Sequence, residues 1–197
     1  MRQFIIHGHA VPPTAEFSLD DLTGAGRLDL LARCVTASFL LSHGIRDDVR
    51  THLVVNDEFT VQFDGSQLRG LHPDERSTAA LIRTALEEKA EAIGQIPVET
   101  SPGVSLIRRG FAETVADAAS SGTVVQLHED GEPAVDVSVP AEPIFVLSDH
   151  RDFTDEEEAV LAEAADHRLR VGPQALHADH TITVVHNWCD TDGFSSY

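Results

Sequence analysis

The C-terminal segment, residues 169–187, constrains the fold of this chain more than any other part of the sequence. It reads as a short apolar strand around Leu169, a Gly172–Pro173 turn and a helix with few charges. Acidic side chains crowd the rest of the chain, so a loop and helix with so few of them are expected to be buried on several sides. Buried backbone needs hydrogen-bond partners from a neighbouring segment or a ligand. We therefore predict that other parts of the chain wrap this loop and that it holds a ligand.

Short apolar strands and amphipathic helices alternate along the chain. The spacing of apolar residues predicts strands at 4–6, 49–55, 59–63, 104–107, 124–127 and 144–147. It predicts helices at 27–40, 77–93, 111–119 and 154–166, the last opened by a capping box at Thr154 and Glu157. The run 144–147 is apolar throughout, which is typical of a parallel strand covered on both faces. This order of elements favours an α/β sheet.

The net charge of −19 would ordinarily argue against a polyanionic partner, because phosphate binding depends on Lys and Arg. The make-up of that charge weakens this conclusion. The 33 acidic residues are spread evenly, and Lys89 is the single lysine of the chain. Evenly spread acid with almost no lysine is typical of a protein adapted to very high salt, which screens charge repulsion. The acidity therefore reflects the solvent, and an RNA partner is not excluded.

Length and composition indicate one sizeable domain in a reducing compartment. A chain of 197 residues can bury a full core. No run of apolar residues is long enough to cross a membrane, and the first residues carry too few apolar side chains for a signal peptide. Cys34 and Cys189 form no disulfide framework, and Cys34 is expected to be a core residue. We predict a cytoplasmic protein.

Two segments that contain arginine are candidates for ligand contact. Arg108 and Arg109 directly follow the predicted strand 104–107, at the start of a loop. In open α/β sheets, ligands usually bind at such strand ends. The pair can instead be a solvated surface feature. The segment 24–29 joins a flexible loop to the start of a helix, whose N–H groups and positive dipole end suit a phosphate. Within that segment, Arg27 and Asp29 can equally pair with each other.

The histidines do not form a recognisable metal motif. His177, His180 and His186 are spaced so that one helical face does not hold all three, and no Cys or acidic residue completes a zinc set. We therefore expect no metal. His7 and His9 have no partner that the sequence identifies.

Several motifs together resemble one enzyme family. They lie at 26–35, 39–49, 65–68, 73–76, 102–103, 109–111, 149–150, 176–180 and 186–187. In this order, and over essentially the whole chain, they are similar to the archaeal tRNA pseudouridine-54 N1-methyltransferases of the SPOUT superfamily, the TrmY family. The resemblance implies one SPOUT methyltransferase domain over 1–197, with a mostly parallel sheet flanked by helices and a C-terminal trefoil knot within about 124–190. It also implies a homodimer, and the composition suggests a haloarchaeal member.

The resemblance also implies the reaction and the cofactor site. S-adenosylmethionine (SAM) would donate a methyl group to N1 of pseudouridine 54 of tRNA, with no metal. The residues expected to contact SAM are Leu127, Ser148, Val171, Gly172, Pro173, Gln174, Ala175, Leu176 and Thr181. Ser148 stands where the family usually has Gly, and Thr181 where Cys is common. Backbone groups are therefore expected to make most of the cofactor contacts.

For the catalytic step, the hypothesis is that Arg27 and Arg109 line the base pocket and stabilise the uracil ring as it becomes anionic. Asp29 is expected to position Arg27 or to accept the N1 proton. In a dimer, the pocket can combine Arg27 of one subunit with the cofactor loop of the other. Two alternatives stay open: the same chemistry on ribosomal RNA, and a non-catalytic RNA-binding protein of SPOUT shape.

Overall fold

Strands and helices alternate throughout the computed structural model, which describes residues 1–196. The strands are β1 (Arg2–Gly8), β2 (Leu40–Leu41), β3 (Gly44–Ile45), β4 (Val49–Val55), β5 (Phe59–Asp64), β6 (Val98–Ser101), β7 (Val104–Ile107), β8 (Thr123–Pro133), β9 (Pro143–Ser148) and β10 (His167–Arg170). The helices are α1 (Leu28–Phe39), α2 (Glu75–Glu87), α3 (Phe111–Ala119), α4 (Asp155–Ala164) and α5 (Ala178–Asp190), with a short 3-10 turn at Ala134–Asp136. None of the described helices is long and apolar enough to span a membrane.

A single 8-stranded sheet organises the molecule, in the order β10-β8-β9-β1-β4-β5-β7-β6. The strands from β10 to β4 are parallel to their neighbours. The strands β5, β7 and β6 extend this sheet in an antiparallel direction. The predicted α/β fold with a mostly parallel sheet is confirmed. Because parallel strands end at the same edge, the segments that follow β1, β8, β9 and β10 meet there.

Helices cover both faces of the sheet. One core joins α1, α2 and α5 to the sheet and includes the buried side chains of Leu31, Val35 and Trp188. The other joins α3 and α4 to the opposite face through Val115 and Leu161. Apolar residues three and four positions apart on each helix point inward, as their spacing predicts. Cys34 is fully buried, which confirms it as a core residue.

Strand β8 contains a bulge that creates part of the cavity described below. Arg168 of β10 pairs with Gln126, but the next residue, Leu169, pairs with Glu132, so residues 127–131 bulge out without a pairing partner on β10. Gly131 then brings the chain back beneath β10, where an added Cβ atom would lie 2.5 Å from the carbonyl carbon of Leu169. The predicted strand at 124–127 is therefore only the start of a longer, interrupted strand.

Two predicted helices have different ends in the structure. The helix predicted at 77–93 begins and ends earlier, because Asp74 caps it by accepting a hydrogen bond from the Ser77 N–H at 2.8 Å. Past its end the backbone forms tighter i→i+3 turns. The helix predicted to reach 166 ends at Ala164, since Ala165 is extended, and His167 already belongs to β10.

Acid sensitivity is expected from the buried His52. Burial lowers the pKa of its imidazole to about 3 from the ordinary value of 6.5. The folded state therefore keeps His52 neutral while the unfolded state gains a proton as the pH falls below 6.5, so this contribution to stability is present above that pH and lost below it. Between pH 7 and pH 5, the free energy of unfolding should fall by about 2 kcal/mol more in the wild type than in His52→Gln. Urea titrations at both pH values measure this difference, and His43→Gln, at an exposed histidine, should behave as the wild type.

Candidate functional site: a cavity at the carboxyl edge of the sheet

A cavity of about 660 Å³ opens at the carboxyl ends of β8, β9 and β10. Its walls are the β8 bulge, the loop after β9, and the segment from Leu169 to Ala178 that ends in the first turn of α5. Its volume falls in the range of about 300–1,000 Å³ that small-molecule sites occupy. Open α/β sheets bind their ligands at this edge.

Every residue predicted to contact the cofactor lines this one cavity. These residues come from three separate parts of the chain: Leu127, Ser148, Val171, Gly172, Pro173, Gln174, Ala175, Leu176 and Thr181. The hydroxyl groups of the two unusual residues are used locally. Ser148 donates to the carbonyl oxygen of Arg151, and Thr181 donates to that of His177 at 3.1 Å. Neither side chain therefore disturbs the backbone that surrounds the cavity.

The prediction that the late loop is buried on several sides is wrong for the single chain. Val171 and Gly172 are half-buried, but residues 173–177 are exposed, and Leu176 keeps 43% of its surface accessible. The physical reason is that the loop forms one wall of an open cavity, so its backbone faces solvent.

Arg27 and Asp29 form a tight ion pair at the start of α1, as one of the alternatives predicts. The guanidinium of Arg27 donates from Nε to Asp29 Oδ1 at 2.9 Å and from Nη2 to Oδ2 at 3.0 Å. Two parallel hydrogen bonds fix the plane of the guanidinium. The backbone of Arg27 has φ of 66°, a left-handed conformation that is uncommon for a residue with a side chain. Such outliers often accompany functional positions.

A network of charged side chains connects this pair to the cavity. Arg33 donates to Asp29 at 3.0 Å, to Glu75 at 3.0 Å and to Asp179 at 3.1 Å. Asp179 lies in the first turn of α5, next to Ala178, which lines the cavity. The network therefore joins the N-terminal ends of α1, α2 and α5. Arg27 itself is not among the described residues that line the cavity.

The environment of Asp29 favours one of its two predicted roles. The hydrogen bonds from Arg27 lower the pKa of the Asp29 carboxyl to about 2, and Arg33 adds to this effect while partial burial opposes it. A carboxylate with so low a pKa is a poor proton acceptor near neutral pH. It is well suited to holding a guanidinium in place.

Arg109 lies elsewhere in the single chain. Its side chain is 8% exposed and its Nη1 donates to Asp117 of α3 at 2.6 Å. Its carbonyl oxygen accepts a hydrogen bond from Thr60 at 2.9 Å. Arg109 does not line the cavity, and no contact joins it to Arg27 among the described residues. That Arg109 lines a base pocket stays a prediction.

The structure adds a polar cluster that the sequence did not reveal. His9 lies between two carboxylates, with Nδ1 at 3.1 Å from Asp149 and Nε2 at 3.0 Å from Glu157. The His9 backbone N–H also donates to Asp149 at 2.9 Å. Burial opposes protonation of His9, but the two carboxylates outweigh it and raise the pKa of the imidazole. His7 packs beside this cluster, 4.2 Å from His9 between ring centroids.

Asp149 connects this cluster to the cavity. Its carboxylate is fully buried and also accepts the Arg151 N–H at 2.8 Å, which shapes the loop after β9. The signal for this cluster was present in the sequence, because His9 and Asp149 each follow a strand end. Only the adjacency of β1 and β9 brings them together.

A family of SAM-dependent RNA methyltransferases matches residues 1–194. The chain belongs to this family. It is 68% identical to the "tRNA (pseudouridine(54)-N(1))-methyltransferase" of Haloarcula marismortui, with 100% of both chains covered. The protein of the same name from Methanocella arvoryzae is 44% identical, with 98% of this chain and 99% of the relative covered. The crystal structure of Archaeoglobus fulgidus Nep1 bound to S-adenosylhomocysteine covers 94% of this chain and 95% of its own, with a TM-score of 0.62 and 12% identity, so the two share a fold.

The cavity of this SAM-dependent RNA methyltransferase fits its methyl donor. Leu127 and Val171, both half-buried, provide apolar surface for an adenine ring. The bulge also carries the exposed carboxylates of Glu129 and Asp130, which suit ribose hydroxyls and a cationic sulfonium. Apolar walls and acceptors thus occur together, as the chemistry of SAM requires.

His9→Ala is expected to weaken the binding of S-adenosylhomocysteine about tenfold. The change removes the imidazole that bridges Asp149 to Glu157 and leaves a buried carboxylate short of one partner, so the loop after β9 should lose its fixed shape. Calorimetric titration measures the affinity. His128→Ala serves as control, because His128 also lines the cavity but its imidazole contacts only its near neighbour Asp130, whose backbone N–H donates to Nδ1 at 3.1 Å. Equal effects of both changes would contradict a specific role for His9.

Proposed function

We propose that this chain transfers the methyl group of SAM to N1 of pseudouridine 54 in tRNA. The observation that carries the proposal is the meeting of all predicted cofactor positions in one cavity, in a chain whose relatives bear the name of this activity over their full length. We further propose that the protein works in the cytoplasm, where its substrate is, and without a metal.

In this proposal, the guanidinium of Arg27 contacts the uracil ring of the pseudouridine. Pseudouridine carries its uracil on a C–C bond, so N1 holds a proton that must leave as the methyl group arrives. The ring gains negative charge during this step, and a nearby guanidinium then stabilises the transition state more than the ground state. The ion pair with Asp29 holds the Arg27 guanidinium in one orientation before the base arrives.

A homodimer would place Arg27 at the cavity. Within one chain Arg27 lies outside the cavity wall, and the Arg33 network reaches the cavity only through α5. We propose that Arg27 of one subunit faces the cofactor loop of the other, and that Arg109 completes the base pocket. The exposed residues 173–177 would then be covered by the partner and by the RNA.

A C-terminal trefoil knot is the proposed topology of the cofactor site. Residues 127–131 form a bulge within β8, and Gly131 lies in tight contact with Leu169 of β10. Such a close passage of two chain segments supports a threaded arrangement in which glycine is needed for backbone approach.

Asp29→Asn should lower turnover about tenfold without changing its dependence on pH between 5 and 8. The amide keeps the shape of the carboxylate but weakens the charge-assisted hydrogen bonds to Arg27. If Asp29 acts through Arg27 alone, Asp29→Asn should have no further effect in an Arg27→Ala background. Single-turnover rates of the four proteins in this double-mutant cycle give the answer. An additional loss in the double variant would assign Asp29 a direct part in the chemistry.

Methyl transfer from labelled SAM to paired tRNA transcripts tests the function itself. One transcript carries uridine at position 54 and the other pseudouridine, and both are assayed in high KCl. Label on the pseudouridine transcript alone is the expected result. Label on neither, with S-adenosylhomocysteine still bound, would indicate another RNA such as ribosomal RNA. A protein that binds neither SAM nor S-adenosylhomocysteine would be a non-catalytic RNA-binding protein.

A further inference from the structure

Most arginines of this chain are paired with acids. Ten of the 13 lie within 4.0 Å of a carboxylate oxygen. In the part of the chain that the structure describes, the exceptions are Arg69, Arg151 and Arg170, and all three are exposed. The guanidinium of Arg69 donates to the Leu68 carbonyl at 2.7 Å. Those of Arg151 and Arg170 make no hydrogen bond or ion pair within residues 1–196.

The two free arginines border the same cavity. Arg151 lies in the loop after β9, and Arg170 is the last residue of β10. In a chain with 33 acidic residues, an exposed arginine without a carboxylate partner is unusual. That both lie at the mouth of one site indicates a function for their charge, since unpaired guanidinium groups are free to bind an external oxyanion.

We propose that Arg151 and Arg170 bind a backbone phosphate of the RNA next to the nucleotide that is methylated. This proposal rests on the proposed function. A base can reach the methyl donor only through the mouth of the cavity, so the phosphates joined to that nucleotide must pass its rim. A guanidinium presents a planar fork of donors that matches phosphate oxygens, and such contacts fix the position of the RNA.

Acidic residues around the mouth of the cavity further restrict where an RNA phosphate can bind. Glu129, Asp130 and Asp152 also line the cavity and are exposed. They repel phosphate, so the guanidinium groups of Arg151 and Arg170 mark where an RNA strand can cross the rim. The overall charge of −19 leaves few other points of attraction.

A second oxyanion could occupy the same groups, namely the carboxylate of the methionine part of SAM. The two sources differ in a measurable way. A carboxylate role requires Arg151 and Arg170 for S-adenosylhomocysteine but not for 5′-methylthioadenosine, which lacks the amino acid. A phosphate role leaves both nucleosides unaffected and weakens the RNA alone.

The test compares Arg151→Gln, Arg170→Gln and the double variant with Arg69→Gln, the matched control at the third arginine without an ion pair. Filter binding measures the Kd for tRNA, without turnover, over a series of KCl concentrations. The double variant should bind tRNA about tenfold more weakly and lose about one unit of salt slope for each arginine removed. The control should bind within about twofold of the wild type, and Kd values for S-adenosylhomocysteine should not change.

Three results would overturn the proposal. The first is an unchanged Kd for tRNA in the double variant. The second is a loss of S-adenosylhomocysteine affinity in the double variant with 5′-methylthioadenosine binding intact. The third is a double variant that is monomeric in light scattering where the wild type is a dimer. The last would show that the arginines bind a second copy of the chain. Because binding is measured separately from turnover, a wild type that binds tRNA through these arginines but does not methylate it would count against the proposed function alone.

Discussion

Arg27→Ala is expected to slow methyl transfer to pseudouridine-54 tRNA by about 10²–10³-fold, the usual cost of removing one preorganised group that stabilises developing negative charge. The affinity for S-adenosylhomocysteine should stay within about twofold, because the proposed partner of the Arg27 guanidinium is the base and not the cofactor. Single-turnover rates and calorimetric titration measure the two quantities. A parallel loss of cofactor affinity would show that Arg27 supports the fold of the site.

Arg76→Ala provides the control for this prediction. Arg76 lies near the start of α2, and its side chain is 60% exposed and paired with Asp20. Its removal deletes one exposed positive charge without touching the Arg27–Asp29 pair. Turnover should therefore stay close to that of the wild type. A similar loss in both variants would assign the effect to general attraction of RNA.

A mixture of subunits tests whether Arg27 acts on the site of the partner. Arg27→Ala is mixed with Ser148→Trp, whose indole should fill the cavity at a position that lines it. If sites are shared between subunits, each mixed dimer contains one site with a native Arg27 and a native cofactor loop. An equal mixture of two inactive proteins should then recover about a quarter of wild-type activity. No recovery would show that Arg27 serves its own chain.

Gly26→Ala is expected to destabilise the folded protein by about 3 kcal/mol. Gly26 has φ of +69°, and an added Cβ would overlap the backbone carbonyl of Ala10. The left-handed conformation costs about 1 kcal/mol for a residue with a side chain, and the overlap adds about 1–3 kcal/mol. The Tm should fall by roughly 6–12 °C in calorimetry at fixed KCl. Because Gly26 precedes Arg27, turnover should fall as well.

Gly94→Ala separates the two costs. Gly94 also has positive φ, at +59°, but no atom lies within 4 Å of an added Cβ. Only the conformational cost of about 1 kcal/mol is expected there. Equal destabilisation by the two substitutions would mean that the close approach of Gly26 to Ala10 adds nothing to the loss in the free energy of unfolding.

Much of the fold was predictable because it depends on local periodicity. The helical spacing of Leu31, Val35 and Phe39 places three buried side chains on one face of α1. The alternation from Phe59 to Phe63 likewise gave β5. The positions of helix and strand ends were less predictable, as α2 shows, because a cap or a turn shifts them by a few residues.

The sequence predicted segments that line the cavity, but it did not predict how exposed they are. All nine predicted residues line the cavity, since loops at strand ends carry ligands in α/β folds, but Glu129, Asp130 and Arg151 line it as well and were not predicted. Few acids in the late loop were taken to mean burial, and the structure shows an open wall at residues 173–177. A low content of charged residues indicates that a segment does not face bulk solvent on all sides, but it does not distinguish contact with other parts of the protein from a position on a cavity wall.

By itself, the sequence determined the order and type of the main helices and strands, the core face of α1 and the segments that surround the cavity, but it gave no sign of the short strands β2, β3 and β6. Only the tertiary structure decided that β1 lies beside β9, and therefore that His9 meets Asp149 and Glu157. It also decided that Arg27 lies outside the cavity of its own chain, and that Arg151 and Arg170 have no acidic partner within residues 1–196. The physical reason is that hydrophobic periodicity depends on residues a few positions apart. Strand order and charge pairing instead bring together residues more than a hundred positions apart, and these contacts depend on the packing of the whole sheet.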